Sequence, residues 1–100
     1  MEKFIYYNEL YLIYKDLIND NNQEIFDLYY GENLSMQEIA DIKEISKSRV
    51  GIVIKNVQEK LEHYETILKI YEKNKKLNEI LNVDNINVIK EELNKIIKGE

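Results

Sequence analysis

The sequence predicts an all-α protein, on three observations. Proline is absent, and only Gly31, Gly51 and Gly99 could break a helix by flexibility, so little in the 100 residues forces the chain out of helical geometry. Apolar side chains recur at spacings of three and four along most of the chain, the period of an amphipathic helix. Capping residues fall between the periodic stretches: the Asn-Asp-Asn-Asn run at 19–22, Ser35, Ser46, Asn82 and Asn85. Five helices in one domain covering residues 1–100 satisfy these constraints.

The first helix, residues 2–18, carries two apolar stripes. One is Tyr6, Leu10, Ile13 and Leu17; the other is Tyr7, Tyr11, Tyr14 and Ile18. A helix apolar on most of its circumference must be covered on most of it. One face is expected on the chain's own core, the second under a partner chain or a wrapped-around C-terminal helix. After the turn at 19–22, a helix over about 23–30 presents Ile25, Phe26, Leu28 and Tyr29. Gly31 is placed to end it in the left-handed conformation.

Ser35 and Glu38 form the capping box S-x-x-E, which opens a short helix with Ile39 and Ala40 facing inward. The small Ala40 side chain lets two helices cross closely. A turn near 43–45 and Ser46 as N-cap lead into the next helix. This is the outline of a helix-turn-helix over about 35–61.

From Lys47 no stop signal appears before Asn82. Val50, Ile54, Val57, Leu61, Tyr64, Leu68 and Tyr71 alternate spacings of four and three, a heptad seam. The second helix of the motif is therefore expected to run on, directly or after a kink, as a long packing helix over about 47–81. Its seam packs on the first helix of the same chain or on a second copy, and a homodimer is the expectation. A last helix covers about 85–98, with Ile86, Ile89, Leu93 and Ile96 or Ile97 on one face. Lys95 and Lys98 near its end suit the helix dipole.

Composition narrows the function. The net charge is -5, and its distribution is uneven. Residues 1–34 hold seven acids and two bases; residues 35–61 hold four acids and five bases. The helix-turn-helix segment is thus the one positive part, by a single charge, where strong nucleic-acid binders show a clear basic patch. Cysteine is absent, which excludes a disulfide framework and thiolate metal sites. His63, with Glu59 one turn before it, supplies two ligands where a metal site needs three or four. There is no glycine-rich phosphate loop, and no base is placed to activate Ser46 or Ser48. No catalytic residue, metal or cofactor is expected, and the chain does not read as an enzyme. No stretch approaches the roughly 18 apolar residues of a membrane span, and the N-terminus lacks the pattern of a signal peptide. A cytoplasmic protein is the expectation. The basic run 73–76 fits cations near a helix C-terminus. The N-terminal tyrosines lie in the most acidic third of the chain, which points to packing rather than base stacking.

If the motif meets DNA, Lys47, Ser48, Arg49 and Ile52 face the groove, while Ser35, Gln37 and Lys55 reach phosphates. Arg49 is the only arginine, hence the only fork suited to a guanine edge. Ile52 could touch a thymine methyl.

Several of these residues together carry a family resemblance. Leu28-Tyr29-Tyr30, Leu34-Ser35, Glu38-Ile39-Ala40, Ile45-Ser46, Val50 and Ile54-Lys55 resemble the small YlxM-type helix-turn-helix proteins of low-GC Gram-positive and related bacteria. The same segment is similar to region four of sigma factors, which binds promoter DNA. The resemblance spans nearly the whole chain. It implies an all-α, sigma region-four-like fold with long C-terminal helices, a dimer, and an accessory or regulatory role in the signal recognition particle pathway. The implied partners are the particle's GTPase or its RNA; the alternative is a dimeric transcription regulator on DNA. Three positions depart from the pattern. Lys43 stands where an apolar residue packs, with Ile42 as its substitute. Glu44 stands where glycine or aspartate makes the turn. Arg49 replaces a small residue.

Overall fold

A computed structural model describes residues 2–100. Among them six α-helices follow one another and no strand occurs: α1 (Glu2–Tyr14), α2 (Asp20–Phe26), α3 (Met36–Lys43), α4 (Lys47–Leu68), α5 (Ile70–Ile80) and α6 (Ile86–Lys98). A turn of 3₁₀ helix over Lys15–Leu17 tightens the exit from α1, and a π-helical turn over Asp27–Gly31 prolongs α2. The molecule is elongated, 57 × 22 × 18 Å.

The core is built around α4, which packs against α1, α2 and α3. Val50, Val53, Ile54, Val57 and Leu61 form its buried stripe, meeting Leu10, Tyr11, Tyr14, Ile25, Phe26, Ile39 and Ala40. The first four members of the heptad seam are therefore consumed inside one chain. Tyr64 is half-buried, and Leu68 is exposed. On α1, Leu10, Tyr11 and Tyr14 are buried, and Ile18, just past the 3₁₀ turn, is buried with them. The Tyr6 side of α1 is covered by α5, whose Tyr71 meets Tyr6 edge-on with ring centroids 5.3 Å apart. Leu17 stays 53% exposed.

Caps set most boundaries. Asn19 Oδ1 accepts from Asn22 N–H at 2.9 Å, so α2 starts three residues before the expected Gln23. Ser35 Oγ accepts from Glu38 N–H at 3.1 Å, and Glu38 Oε1 accepts from Ser35 N–H at 3.0 Å, which completes the capping box. Those bonds hold the Glu38 carboxyl below its ordinary range, the Ser35 backbone N–H first among the causes. Ser46 Oγ accepts from Arg49 N–H at 3.0 Å.

Two expectations need correction. Gly31 does not take up the left-handed conformation; Asn33, with φ of 55°, does so two residues later. The amide of Glu32 bonds back to the Asp27 carbonyl across the π-helical turn, so the helix closes through a wider ring and Gly31 stays within it. The turn also leaves Tyr30, absent from the expected apolar face, buried and stacked on Phe4 and Phe26 at 4.4 Å each.

The second correction is the long helix, and with it the helix count. The stretch expected as one helix over 47–81 is two, because Lys69 adopts a left-handed conformation with φ of 53°. No glycine, proline or capping residue marks this break. Tertiary contacts make it. Glu65 accepts the amides of Tyr71 and Glu72 at 3.0 Å each, and Tyr14 Oη accepts the Ile70 amide at 3.2 Å. Tyr14 in turn donates to Glu65 at 2.6 Å. A left-handed non-glycine residue costs about 1–2 kcal/mol. The bonds to Tyr14 and Glu65 take the place of the backbone bonds that the amides of Ile70, Tyr71 and Glu72 would make in an unbroken helix, so the bend leaves no amide unpaired.

Candidate binding face of the helix-turn-helix unit

Helices α3 and α4 are joined by a three-residue turn in which Glu44 is left-handed, with φ of 56°. A glycine would hold that angle without strain; glutamate holds it because the amide of Ile45 bonds to the Ala40 carbonyl and closes the turn. Ala40 is buried where the two helices meet. On the inward face of α3 stands Lys43. Its stem is half-buried and its amine pairs with Glu24 of α2. Ile42 does not substitute for it: that side chain points outward and is 58% exposed.

All seven residues expected to meet DNA lie on the surface. Helical spacing puts Ser48, Ile52 and Lys55 on the side of α4 opposite Val50, Ile54 and Val57. Lys47 and Arg49 flank that stripe. Glu59, four residues after Lys55, continues it and adds a carboxylate that the sequence reading left out. At the start of α3, Ser35 has its oxygen engaged in the cap, and Gln37 donates to Asp41 at 3.0 Å. The face thus offers Lys47, Arg49 and Lys55 as cations, with Asp41, Glu44 and Glu59 exposed on the same two helices and their turn. Ile52 is 51% exposed at its centre.

The tyrosines make no comparable surface. Tyr11 donates to Asp27 at 2.7 Å, Tyr7 to Glu62, and Tyr30 accepts from Gln58 at 2.8 Å. The Tyr14 phenol is pushed up to about 12, by burial first and by its bond to Glu65 second. The Tyr7 phenol also rises to about 12, chiefly through its bond to Glu62. These hydroxyls tie helices together at the edge of the core. His63 and Glu59 are exposed. Among the described residues, no three His, Asp or Glu side chains converge as metal ligands, and no helix is long and apolar enough to cross a membrane.

The sequence has known relatives. Residues 1–99 match the profile of UPF0122, described as "Putative helix-turn-helix protein, YlxM / p13 like". The chain belongs to the UPF0122 family. A UPF0122 protein of Ureaplasma parvum is 45% identical over 76 residues, which is 76% of this chain and 77% of the relative. A relative from Mycoplasma mycoides, named as a probable member, is 37% identical over 91 residues, 91% of this chain and 80% of its own length. A third, from Clostridium kluyveri, is 35% identical over 79 residues, 79% of this chain and 71% of its own. The names of these UPF0122 proteins state the family and no activity.

Proposed function

We propose that this UPF0122 protein is a non-enzymatic regulatory or accessory protein. In this reading the α3–α4 face contacts a macromolecule in or beside the signal recognition particle pathway, the particle's GTPase or its RNA. One observation carries the contact mode. Ile42 and Ile52 stand more than half exposed on the two helices of the unit, among cations and acids in equal number. A surface that holds phosphates concentrates cations, because each neutralised phosphate releases counterions. A face with apolar side chains between charges of both signs suits a protein partner better than a phosphate backbone. The pathway comes from the family resemblance, and the cytoplasm is the compartment it requires.

A second reading, a dimeric DNA-binding regulator, draws on Lys47, Ser48 and Arg49 in the exposed first turn of α4. Such a turn meets base edges when the helix enters a major groove. The two readings separate in one set of binding measurements on the purified protein. The first expects a complex with the particle GTPase or its RNA. If the GTPase is the partner, that complex is nearly insensitive to salt and weakened by Ile52→Lys. The second expects a DNA complex whose affinity falls steeply with salt, and in which Arg49→Ala relaxes sequence preference. Absence of any complex with the GTPase and the RNA overturns the first reading. Absence of a DNA shift at low salt overturns the second.

A further inference from the structure

We infer that the α5–α6 hairpin is a strap with two positions and that Lys69 is its hinge. The closed position is the bent form, with α5 against α1. In the open position α4 and α5 run on as one helix, and the Tyr6 and Ile13 side of α1 is uncovered. The backbone ladder shows how little separates the two. The Lys69 amide bonds to the Glu65 carbonyl at 2.9 Å, and the Lys73 amide to the Lys69 carbonyl at 3.0 Å. That is ordinary α-helical spacing on both sides of the bend. Only the amides of Ile70, Tyr71 and Glu72, between them, are diverted to side chains. Their partners in an unbroken helix, the carbonyls of Thr66, Ile67 and Leu68, lie in the exposed stretch 66–70. Straightening therefore restores three backbone bonds with no shift of register. It also releases Lys69 from its left-handed φ of 53°, which a residue with a Cβ holds under strain. The side-chain pattern suits the open helix as well, since Tyr64, Leu68 and Tyr71 keep spacings of four and three across the hinge.

One side-chain pair opposes straightening. The Glu65 carboxylate accepts from Tyr14 and from the amides of Tyr71 and Glu72, and the Tyr14 hydroxyl accepts from the Ile70 amide. This latch exists only while α1 lies beside the hinge. Beyond it α5 is held loosely. Tyr71 is half-buried on Tyr6, and no residue of α5 is fully buried. Further along, a cleft of about 470 Å³ opens between the two helices, with Glu9 and Ile13 on one wall and Asn74 and Asn78 on the other. Amides and carboxylates of this kind accept water readily, so opening the cleft costs far less than exposing Val50, Val57 or Leu61. A lightly covered segment joined to a fully buried core is drawn from the low-stability end of a structure, where opening precedes global unfolding. The inference does not rest on what the α3–α4 face binds.

Distance measurement between two spin labels tests this on the full chain. The protein has no cysteine, so Leu12→Cys on α1 and Asp84→Cys in the loop after α5 take the labels without background. Both side chains are exposed, and dilution with unlabelled protein restricts the signal to distances within one chain. With the latch intact, one short distance is expected to dominate. Tyr14→Phe keeps the ring in the core and removes the hydroxyl; Glu65→Ala removes the carboxylate. Each is expected to populate a distance longer by on the order of 10 Å, because the segment from Lys69 to Leu81 is a helical arm of ~18 Å. Helical circular dichroism is expected to stay unchanged. Adding Lys69→Gly, which holds the left-handed angle without strain, is expected to raise the short population again. Unchanged distances in the Tyr14→Phe, Glu65→Ala double variant overturn the inference. So does a longer distance accompanied by loss of helical signal, which marks unfolding of the hairpin, or a Lys69→Gly that leaves the populations unmoved.

Discussion

Helices α4 and α6 share an amphipathic pattern and meet opposite fates. In the body, α4 is covered by three neighbours, and Val50, Val57 and Leu61 retain no exposed surface. In the hairpin, α6 packs chiefly on α5, and Ile97 retains 82% of its surface. A stripe of isoleucines and leucines stabilises a helix only in proportion to what covers it. The body should therefore behave as a cooperative unit, and the hairpin as an appendage held by its joint and by what it docks against.

The sharpest way to break this contrast is at the centre of the body. Phe26→Ala should cost about 3–5 kcal/mol by chemical denaturation, since the ring is fully buried between Tyr11 and Tyr30. Leu77→Ala on the hairpin should cost about 1 kcal/mol or less in the same measurement. Equal losses would show that the hairpin folds as part of the core.

The joint comes next. Glu65→Ala removes the acceptor of two α5 amides and of the Tyr14 hydroxyl, an effect of about 1.5–3 kcal/mol. Amide exchange should quicken in α5 and α6 while the amides of α4 around Val57 stay protected. Uniform acceleration would contradict a local joint.

Smaller effects sharpen the body itself. Ser35→Ala should cost about 1 kcal/mol through the lost cap of α3. Glu44→Gly should stabilise by up to about 1 kcal/mol, because glycine carries no penalty at φ of 56°. Alkaline stability gives a further reading. In the folded state Tyr14 keeps its proton up to about 12, whereas an unfolded phenol loses it near the ordinary value of 10.0. That contribution is full below pH 10 and is lost as pH rises from 10 to 12. Tyr14→Phe should flatten this limb without abolishing it, since the Tyr7 phenol is raised as well.

How much was legible depends on the range of the interactions involved. The capping box at Ser35, the cap at Ser46 and the start of α6 at Asn85 were readable because a cap involves residues within one turn. The positions of Ser48, Arg49, Ile52 and Lys55 on the open side of α4 followed from periodicity alone. Lys43 was misread, because its partner Glu24 lies nineteen residues away on another helix. Glu59 brings its charge to the α4 face from three turns beyond Ser48, outside the first turns in which a helix-turn-helix meets DNA. No local signal foretells the bend at Lys69: Leu68, Lys69 and Ile70 are all acceptable helix residues.

The sequence by itself determined that the chain is helical, where most helices begin, and that a helix-turn-helix lies between Ser35 and the middle of α4. These follow from period, caps and composition, which act over a few residues. Only the tertiary structure decided which apolar stripes are spent inside the chain and which remain open. It closed the seam from Val50 to Leu61 against α1, α2 and α3. It bent the chain at Lys69 through Glu65 and Tyr14, and left Leu81 and Ile97 uncovered. The bend depends on contacts 51 and 56 positions apart, and covering a stripe depends on neighbours from other helices; a repeat of threes and fours is the same whether or not such a neighbour exists.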